Sequence, residues 1–556
     1  MWQDLSLAIS QNIFYEFSAI LLLAVTAGVL GLALRQPLIV TFIFVGILVG
    51  PAMMDIIHSK EHVHLLAEFG ISILLFIVGL KLDVRIIQSV GKIALLTGMG
   101  QVIFTSLFGF FIAWGLGFPP LQSFYIAVAL TFSSTIIIVK LLSDKKEIDS
   151  LHGQIAIGFL IVQDIVVILV MIVLSAMRQS VETSLWQDVV RTGLGGAILI
   201  GVTYAFGKWI LPWISFRLAK SQELLTLFGV AWAVGLAALG EYVGFSGEVG
   251  AFLAGISLAS SPFKDVLSGR LVSLRDFLLL FFFVNLGASL NLATISEQLV
   301  PSFILSAFVL IGNPIIVLII MGAMGYRRRT AFLAGLTVAQ ISEFSLIFAG
   351  LGLAVGHITE GVLGLITLVG LITIGLSTYL ILYSHRIYEL ISPALKLFER
   401  RNANQEDRHL QYNDEPFNVI LIGVGRFGMP ISKMLDEHPD IKYLAVDFDP
   451  GVVKSFKESN KPIIYGDLED PELAGYLPLE ECRCVISTVS NVDVSRQLVK
   501  CLRKAGYKGS IFLTASNEQE LQELSVCDAD YILQPQQMAA TNFYNHFLKQ
   551  IFGQEK

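Results

Sequence analysis

Residues 12 to 383 are a near-continuous succession of apolar stretches, each about long enough to cross a bilayer. A span needs about 20 mostly apolar residues. Thirteen stretches qualify: 12–34, 37–54, 65–81, 92–116, 121–142, 153–177, 192–214, 222–241, 246–260, 272–290, 299–324, 329–353 and 360–383. Charge is sparse before about residue 385 and dense after it. Only 15% of all residues are charged and mean hydropathy is +0.70, whereas soluble domains carry roughly 25% charged residues. The sequence therefore reads as two parts. Residues 1–385 form a bundle of membrane helices. An amphipathic helix and polar linker at 386–416 lead to a soluble domain at 417–535, followed by a C-terminal extension at 536–556.

Loop charge sets the expected topology. Alternate loops hold Arg35; Lys81, Arg85 and Lys92; Lys145 and Lys146; Arg217 and Lys220; Lys264, Arg270 and Arg275; and Arg327, Arg328 and Arg329. The opposite set holds little more than Lys60, Arg178 and Arg191. Cytoplasmic loops carry the excess of Lys and Arg, so the N-terminus is expected outside and the soluble domain in the cytoplasm. The first span is too long for a signal h-region and lacks a basic lead, so no cleavable signal is expected. All four cysteines, Cys482, Cys484, Cys501 and Cys527, lie in the soluble part. That suits a reducing compartment, and Cys482-x-Cys484 lacks the second pair a zinc site needs. The net charge of −7 gives no hint of nucleic acid.

Two segments repeat at one offset. LLFIVGLKL (74–82) resembles LFFFVNLGA (280–288), and LTFSST (130–135) resembles LTVAQI (336–341), both 206 residues apart. These are the third and tenth spans and the fifth and twelfth. Each pair is an odd number of spans apart, so the copies face opposite ways. Such inverted repeats build many secondary transporters, with the substrate at broken helices near the midplane. The fifth span is interrupted by Thr131, Ser133, Ser134 and Thr135, the twelfth by Thr337, Gln340, Ser342 and Glu343. Unwound backbone and hydroxyl side chains supply oxygen ligands, which suit a hard cation. Ser and Thr can also satisfy helix backbones or bridge packed helices.

The sixth span, GFLIVQDIVVILVMIVL (158–174), carries Gln163-Asp164 at its centre. An Asp there costs roughly 2.5–3.5 kcal/mol on insertion scales. The repeat maps it onto Gly370, so the second copy offers no counterpart. An intramembrane acid beside a broken helix points to an ion site; a structural Asp would need a buried Lys or Arg partner.

Together, IVQDIV, the polar break of the fifth span, FFFVNLGASLNL, VGAFLAGISLASSP and QISEFSLIF resemble the monovalent cation:proton antiporter-2 family, and the Gln-Asp form resembles its Kef-type potassium/proton branch. The resemblance implies an NhaA-like fold of about 13 transmembrane helices, with inverted repeats and two crossed broken helices. It further implies an elevator-type exchanger, a homodimer, a bacterial inner-membrane location and glutathione control. On this reading Asp164 binds K+ and H+ in turn. Gln163, Thr131, Ser133 and Ser134 orient it or complete the shell. Glu343 lines the ion path or offsets the positive end of a half-helix. With one carboxylate, one cation exchanges for one proton, electroneutrally. Sodium/proton exchange is the alternative within the fold, and a ligand-gated potassium channel the alternative from another class.

In the soluble part, FNVILIGVGRFGMPISKML (417–435) reads as a strand, then Gly423-x-Gly425-x-x-Gly428, then a helix. KYLAVDFDP (442–450) follows as a second strand, with Asp447 near its end and Asp449 beyond it. A glycine motif between strand and helix, with an acid about 20 residues on, is the dinucleotide fingerprint. Strands at 461–470 and 482–491 continue the alternation. With Arg426-Phe427 and Gly466-Asp467, the segment resembles the Rossmann-like nucleotide-binding half of the RCK domain, the TrkA-N module. The expected ligand is AMP or NAD(H), held by Gly423, Gly425, Arg426, Phe427, Gly428, Asp447, Asp449, Gly466, Asp467 and Thr488. A dehydrogenase would need a substrate domain, for which roughly 140 residues leave no room; a regulatory sensor fits better.

Overall fold

The computed structural model describes residues 12–51, 53–81, 92–145, 147, 148, 150–176, 198, 199, 201–210, 221–243, 247–259, 261, 263–290, 292–399, 416–466, 468, 473–475, 477–548 and 551. The chain divides into two compact units. One takes in 1–145, 155–323 and 328–398; the other takes in 399–556 with the short segments 146–154 and 324–327.

The first unit is helical: α1 Ile13–Ala33, α2 Leu38–Val49, α3 Lys60–Lys81, α4 Lys92–Gly115, α5 Pro120–Ala129, α6 Thr135–Asp144, α7 Leu151–Ala176, α8 Gln222–Tyr242, α9 Gly247–Leu258, α10 Lys264–Ala288, α11 Leu292–Ala307, α12 Asn313–Ala323, α13 Arg328–Leu336, α14 Glu343–Ala354, α15 Glu360–Leu382 and α16 Ser384–Leu395. A π-helical turn, Phe308–Gly312, joins α11 to α12. Every expected span except 192–214 coincides with described helix; of that one only 198, 199 and 201–210 are among the described residues, ending in a π-helical turn at Phe206–Ile210. Among the described residues, eight helices are long and apolar enough to cross a membrane, and α2, α9 and α14 are shorter apolar ones.

The helices sort into two packing groups. In one, α10 lies along α3 and α2, and α9 lies along α3 and α8. Glycines set these crossings. A Cβ on Gly46 would stand 2.2 Å from the Val284 carbonyl, and one on Gly287 would stand 2.1 Å from that of Ile43. The α3–α9 crossing mirrors this, with Gly79 against the Phe252 carbonyl at 2.4 Å and Gly255 against that of Phe76 at 2.2 Å. Both crossings bring backbone onto backbone, as small residues permit in a bilayer. In the other group, α4 packs on α5 and α12, α12 on α13, α14 on α5 and α15, and α11 on α15.

The polar interruptions become breaks in helix. α5 ends at Ala129, residues 131–134 leave helical geometry, and Ser134 caps α6 by accepting from the Ile137 N–H at 3.3 Å. α13 ends at Leu336, 337–342 are non-helical, and Ser342 caps α14 by accepting from the Phe344 N–H at 3.1 Å. Ser and Thr compete with helix hydrogen bonding and favour caps, so both breaks arise where the sequence places hydroxyls.

One expectation changes. The sequence places the start of the tenth span at 272 and counts Arg275 among the loop cations. α10 starts at Lys264, which places Arg275 inside the helix. There it is 7% exposed and paired with Asp276 at 2.6 Å.

The second unit is a parallel α/β sheet. Strands β1 Val419–Ile422, β2 Tyr443–Asp447, β3 Ile463–Tyr465, β4 Cys484–Ser487, β5 Ser510–Thr514 and β6 Tyr531–Leu533 lie in the order β3-β2-β1-β4-β5-β6. Helices α17 Gly428–Asp436, α18 Pro450–Glu458, α19 Val492–Lys504, α20 Glu518–Leu524 and α21 Pro535–Phe543 alternate with them. β1 and β2 are buried throughout, as parallel strands covered on both faces are. The order reverses between β1 and β4, which is where nucleotides bind in such sheets.

Candidate functional site

Asp164 sits midway along α7, part-buried, beside the first break. Its Oδ2 accepts from the Thr135 hydroxyl at 3.0 Å. Thr135 opens α6, and sequence reasoning noted it in the break without assigning it to the site. Gly370, the repeat counterpart of Asp164, faces the apolar side chains of Ile341 and Leu346. At that position the second copy has no acid, and a side chain there would meet apolar atoms.

The neighbours divide by what their polar atoms already do. The Gln163 side-chain carbonyl accepts from the Ser133 N–H at 3.0 Å, and its amide donates to Gln101 Oε1 at 2.7 Å. The Thr131 hydroxyl donates to the Ala127 carbonyl at 2.9 Å and meets the Ser106 hydroxyl at 3.0 Å. Ser134 is a helix cap. Ser133 Oγ is buried and has no hydrogen-bond partner among the described residues. The polar atoms of Gln163, Thr131 and Ser134 are thus engaged in holding the break, whereas the Ser133 hydroxyl is not, and Asp164 accepts from Thr135.

Glu343 is the first residue of α14, 1% exposed, and Ser342 donates to its Oε2 at 3.4 Å. Its Oε1 has no partner among the described residues. It also lines a cavity of about 450 Å³ walled by Phe42 of α2, Lys140 and Asp144 of α6 and Asp276 of α10. Glu343 thus stands at a half-helix N-terminus and on a cavity lined by residues of both packing groups.

In the second unit each fingerprint glycine has its own reason. Gly423 has φ +82°, a conformation that favours glycine. A Cβ on Gly428 would stand 1.9 Å from the Gly423 carbonyl, so helix α17 packs hard on the loop. A Cβ on Gly425 would meet nothing within 4 Å, which leaves its backbone open to a pyrophosphate. Arg426 is exposed beside it, and Phe427 precedes the first turn of α17. Thr488 donates to the Gly423 carbonyl at 2.7 Å and clamps the turn.

The acids are more occupied than the motif suggests. Asp447 accepts from the Val424 N–H at 2.6 Å and the Asp449 N–H at 2.9 Å. Burial pushes its carboxyl up from the usual range, and these N–H donors pull it back. Asp449 caps α18 through the Gly451 N–H at 2.7 Å. Gly466 makes room for Val446 and Leu473. Asp467 lies outside the described residues.

Gly425→Val is expected to leave the sheet intact and weaken nucleotide binding at least tenfold. Gly428→Ala is expected to cost more domain stability than the roughly 1–3 kcal/mol of ordinary overpacking, because the obstacle is the Gly423 backbone carbonyl. The nucleotide-dependent thermal midpoint of the purified chain separates the two.

A family model described as sodium/hydrogen exchanger, transmembrane, matches residues 19–382. The chain belongs to that family. A TrkA-N domain model matches residues 419–535 of the exchanger. Both agree with the resemblances carried by its motifs. Among curated relatives, YbaL of Escherichia coli (strain K12), named for cation/proton antiport, is 27% identical, covering 92% of the exchanger and 93% of the relative. MagA of Paramagnetospirillum magneticum (strain ATCC 700264 / AMB-1), named as an iron transporter, is 31% identical over 66% of the exchanger and 85% of the relative. KefB of Alkalimonas amylolytica, named for K+ efflux antiport, is 27% identical over 83% and 70%. The solved sodium proton antiporter MjNhaP1 of Methanocaldococcus jannaschii shares the fold, with TM-score 0.50 and 17% identity over 70% of the exchanger and 99% of that chain.

Proposed function

We propose that this exchanger is a potassium/proton antiporter that releases K+ against proton uptake, under control of a nucleotide in its TrkA-N domain. The observation that carries the reading is Asp164, the acid beside the first broken helix, with Gly370 in its place in the second copy. A carboxyl out of water is held neutral by a proton or by a bound cation. The two compete for Asp164, and either makes the site uncharged for its passage past apolar surface. One acid gives one cation for one proton, hence electroneutral exchange.

Two features favour an elevator. The group of α2, α3, α9 and α10 is locked by backbone contacts, which suits a fixed frame. The group holding both breaks carries Asp164, and the Glu343 cavity runs between the groups. Potassium as cargo rests on the Gln163-Asp164 pair and on relatives named for K+ efflux. The homodimer, the inner-membrane location with the N-terminus outside, and glutathione control rest on the family resemblance and on loop charge. AMP or NAD(H) would lie against Gly425 at the β1–β4 switch point, and would bias transport by binding one conformation more tightly.

The test is proton-coupled flux in proteoliposomes with potassium, sodium or rubidium, with and without AMP or NADH. Potassium-dependent, current-free proton movement that responds to the nucleotide is expected. Sodium-only flux would select the sodium/proton alternative, and cation flux without proton counterflow would select the channel.

A further inference from the structure

The two broken helices are joined by a buried hydrogen-bond relay that runs in one direction. The Ser133 N–H donates to Gln163 Oε1 at 3.0 Å, and Gln163 Nε2 donates to Gln101 Oε1 at 2.7 Å. Gln101 Nε2 donates to Thr105 Oγ1 at 3.0 Å, and Thr105 Oγ1 donates to Asn313 Oδ1 at 2.7 Å. Asn313 Nδ2 donates to the Val338 carbonyl at 3.2 Å. The relay starts on a backbone N–H of the first break and ends on a backbone C=O of the second. Gln101, Thr105, Gln163 and Asn313 are each 0% exposed. A branch from Gln101 Nε2 reaches the Thr131 carbonyl at 3.2 Å.

Breaking a helix inside a bilayer strands backbone donors at one end and acceptors at the other, with no water to receive them. Here a stranded N–H and a stranded C=O from opposite halves of the repeat answer each other through four side chains. Every member both accepts and donates, so the members polarise one another in one sense and the chain tolerates no gap. The relay fixes the backbone of Ser133, two residues before the Thr135 that donates to Asp164, through Gln163, the chain neighbour of Asp164.

We infer that Gln101, Thr105 and Asn313 are positioning residues for the cation site, and that their relay makes the two breaks act as one piece during exchange. Gln163 belongs to the same relay and serves the site through Ser133. This rests on the exchange reading above.

The test uses the full chain in proteoliposomes, with thallium or potassium as the cation. Thr105→Val and Asn313→Leu remove one link each at similar volume. Each is expected to raise the cation KM about tenfold with a smaller change in maximal rate. Thr105→Ser, which keeps the hydroxyl, is expected to stay within about twofold of the parent. The double variant Thr105→Val/Asn313→Leu is expected to match the worse single variant, because residues of one network do not add. A loss confined to maximal rate, with KM unchanged, would mark a merely structural role and overturn the inference. So would a double effect equal to the product of the singles. If the unsubstituted chain shows no exchange, the exchange reading fails instead, which keeps the two outcomes apart.

Discussion

Asp164→Asn should abolish cation-coupled proton movement, reducing it to the rate of empty vesicles, while the protein folds as before. Asn has nearly the same shape, and its side-chain oxygen can still accept the 3.0 Å bond from Thr135. It binds no proton and offers a cation no negative charge. Burying a neutral amide is also easier than burying a carboxylate, so thermal stability should hold or rise. The measurement is proton release from pH-loaded proteoliposomes on adding potassium, paired with a thermal melt of the same preparation. Persistent proton-coupled flux in the variant would remove Asp164 from the mechanism.

The second large effect concerns the frame. Gly287→Val should leave little folded protein, because the new Cβ would sit 2.1 Å from the Ile43 carbonyl. Overpacking costs typically 1–3 kcal/mol where side chains can yield; here the obstacle is backbone, and α10 must leave α2. Gly235→Val in α8 is the control, since a Cβ there meets nothing within 4 Å. Yield and dispersity on size-exclusion chromatography should separate the two. Equal behaviour would show that the α2–α10 contact is not as close as described.

Much of this was legible in the sequence. Both breaks lie where hydroxyls interrupt apolar runs, because Ser and Thr offer the backbone an alternative to the helix. Asp164 stood out because a carboxylate is costly in hydrocarbon, and Gly423, Gly425 and Gly428 because each meets a different steric demand. The relay was not legible. Gln101, Thr105 and Asn313 are single polar residues in three apolar runs, and nothing in their spacing shows that they converge. The crossings at Gly46 and Gly79 were hidden for the same reason: a glycine in a span does not say which carbonyl it meets. Arg275 counts among the loop cations by its charge alone, which does not show that its helix buries it beside Asp276. The assignment of Asp447 and Asp449 followed the motif, which does not show that backbone N–H groups already occupy their oxygens.

The glycine crossings also set a schedule for biogenesis. Gly46 meets a helix made about 240 residues later. At about 5–20 residues per second, roughly 10–50 s of synthesis pass before Gly287 exists to receive it. Throughout that interval α2 waits in the membrane with its contact face open, while α3 waits for Gly255. The early helices are thus inserted long before they are packed. Agents that shield small-residue faces in the bilayer, whether lipids or insertion factors, would act on this exchanger during its manufacture rather than its work.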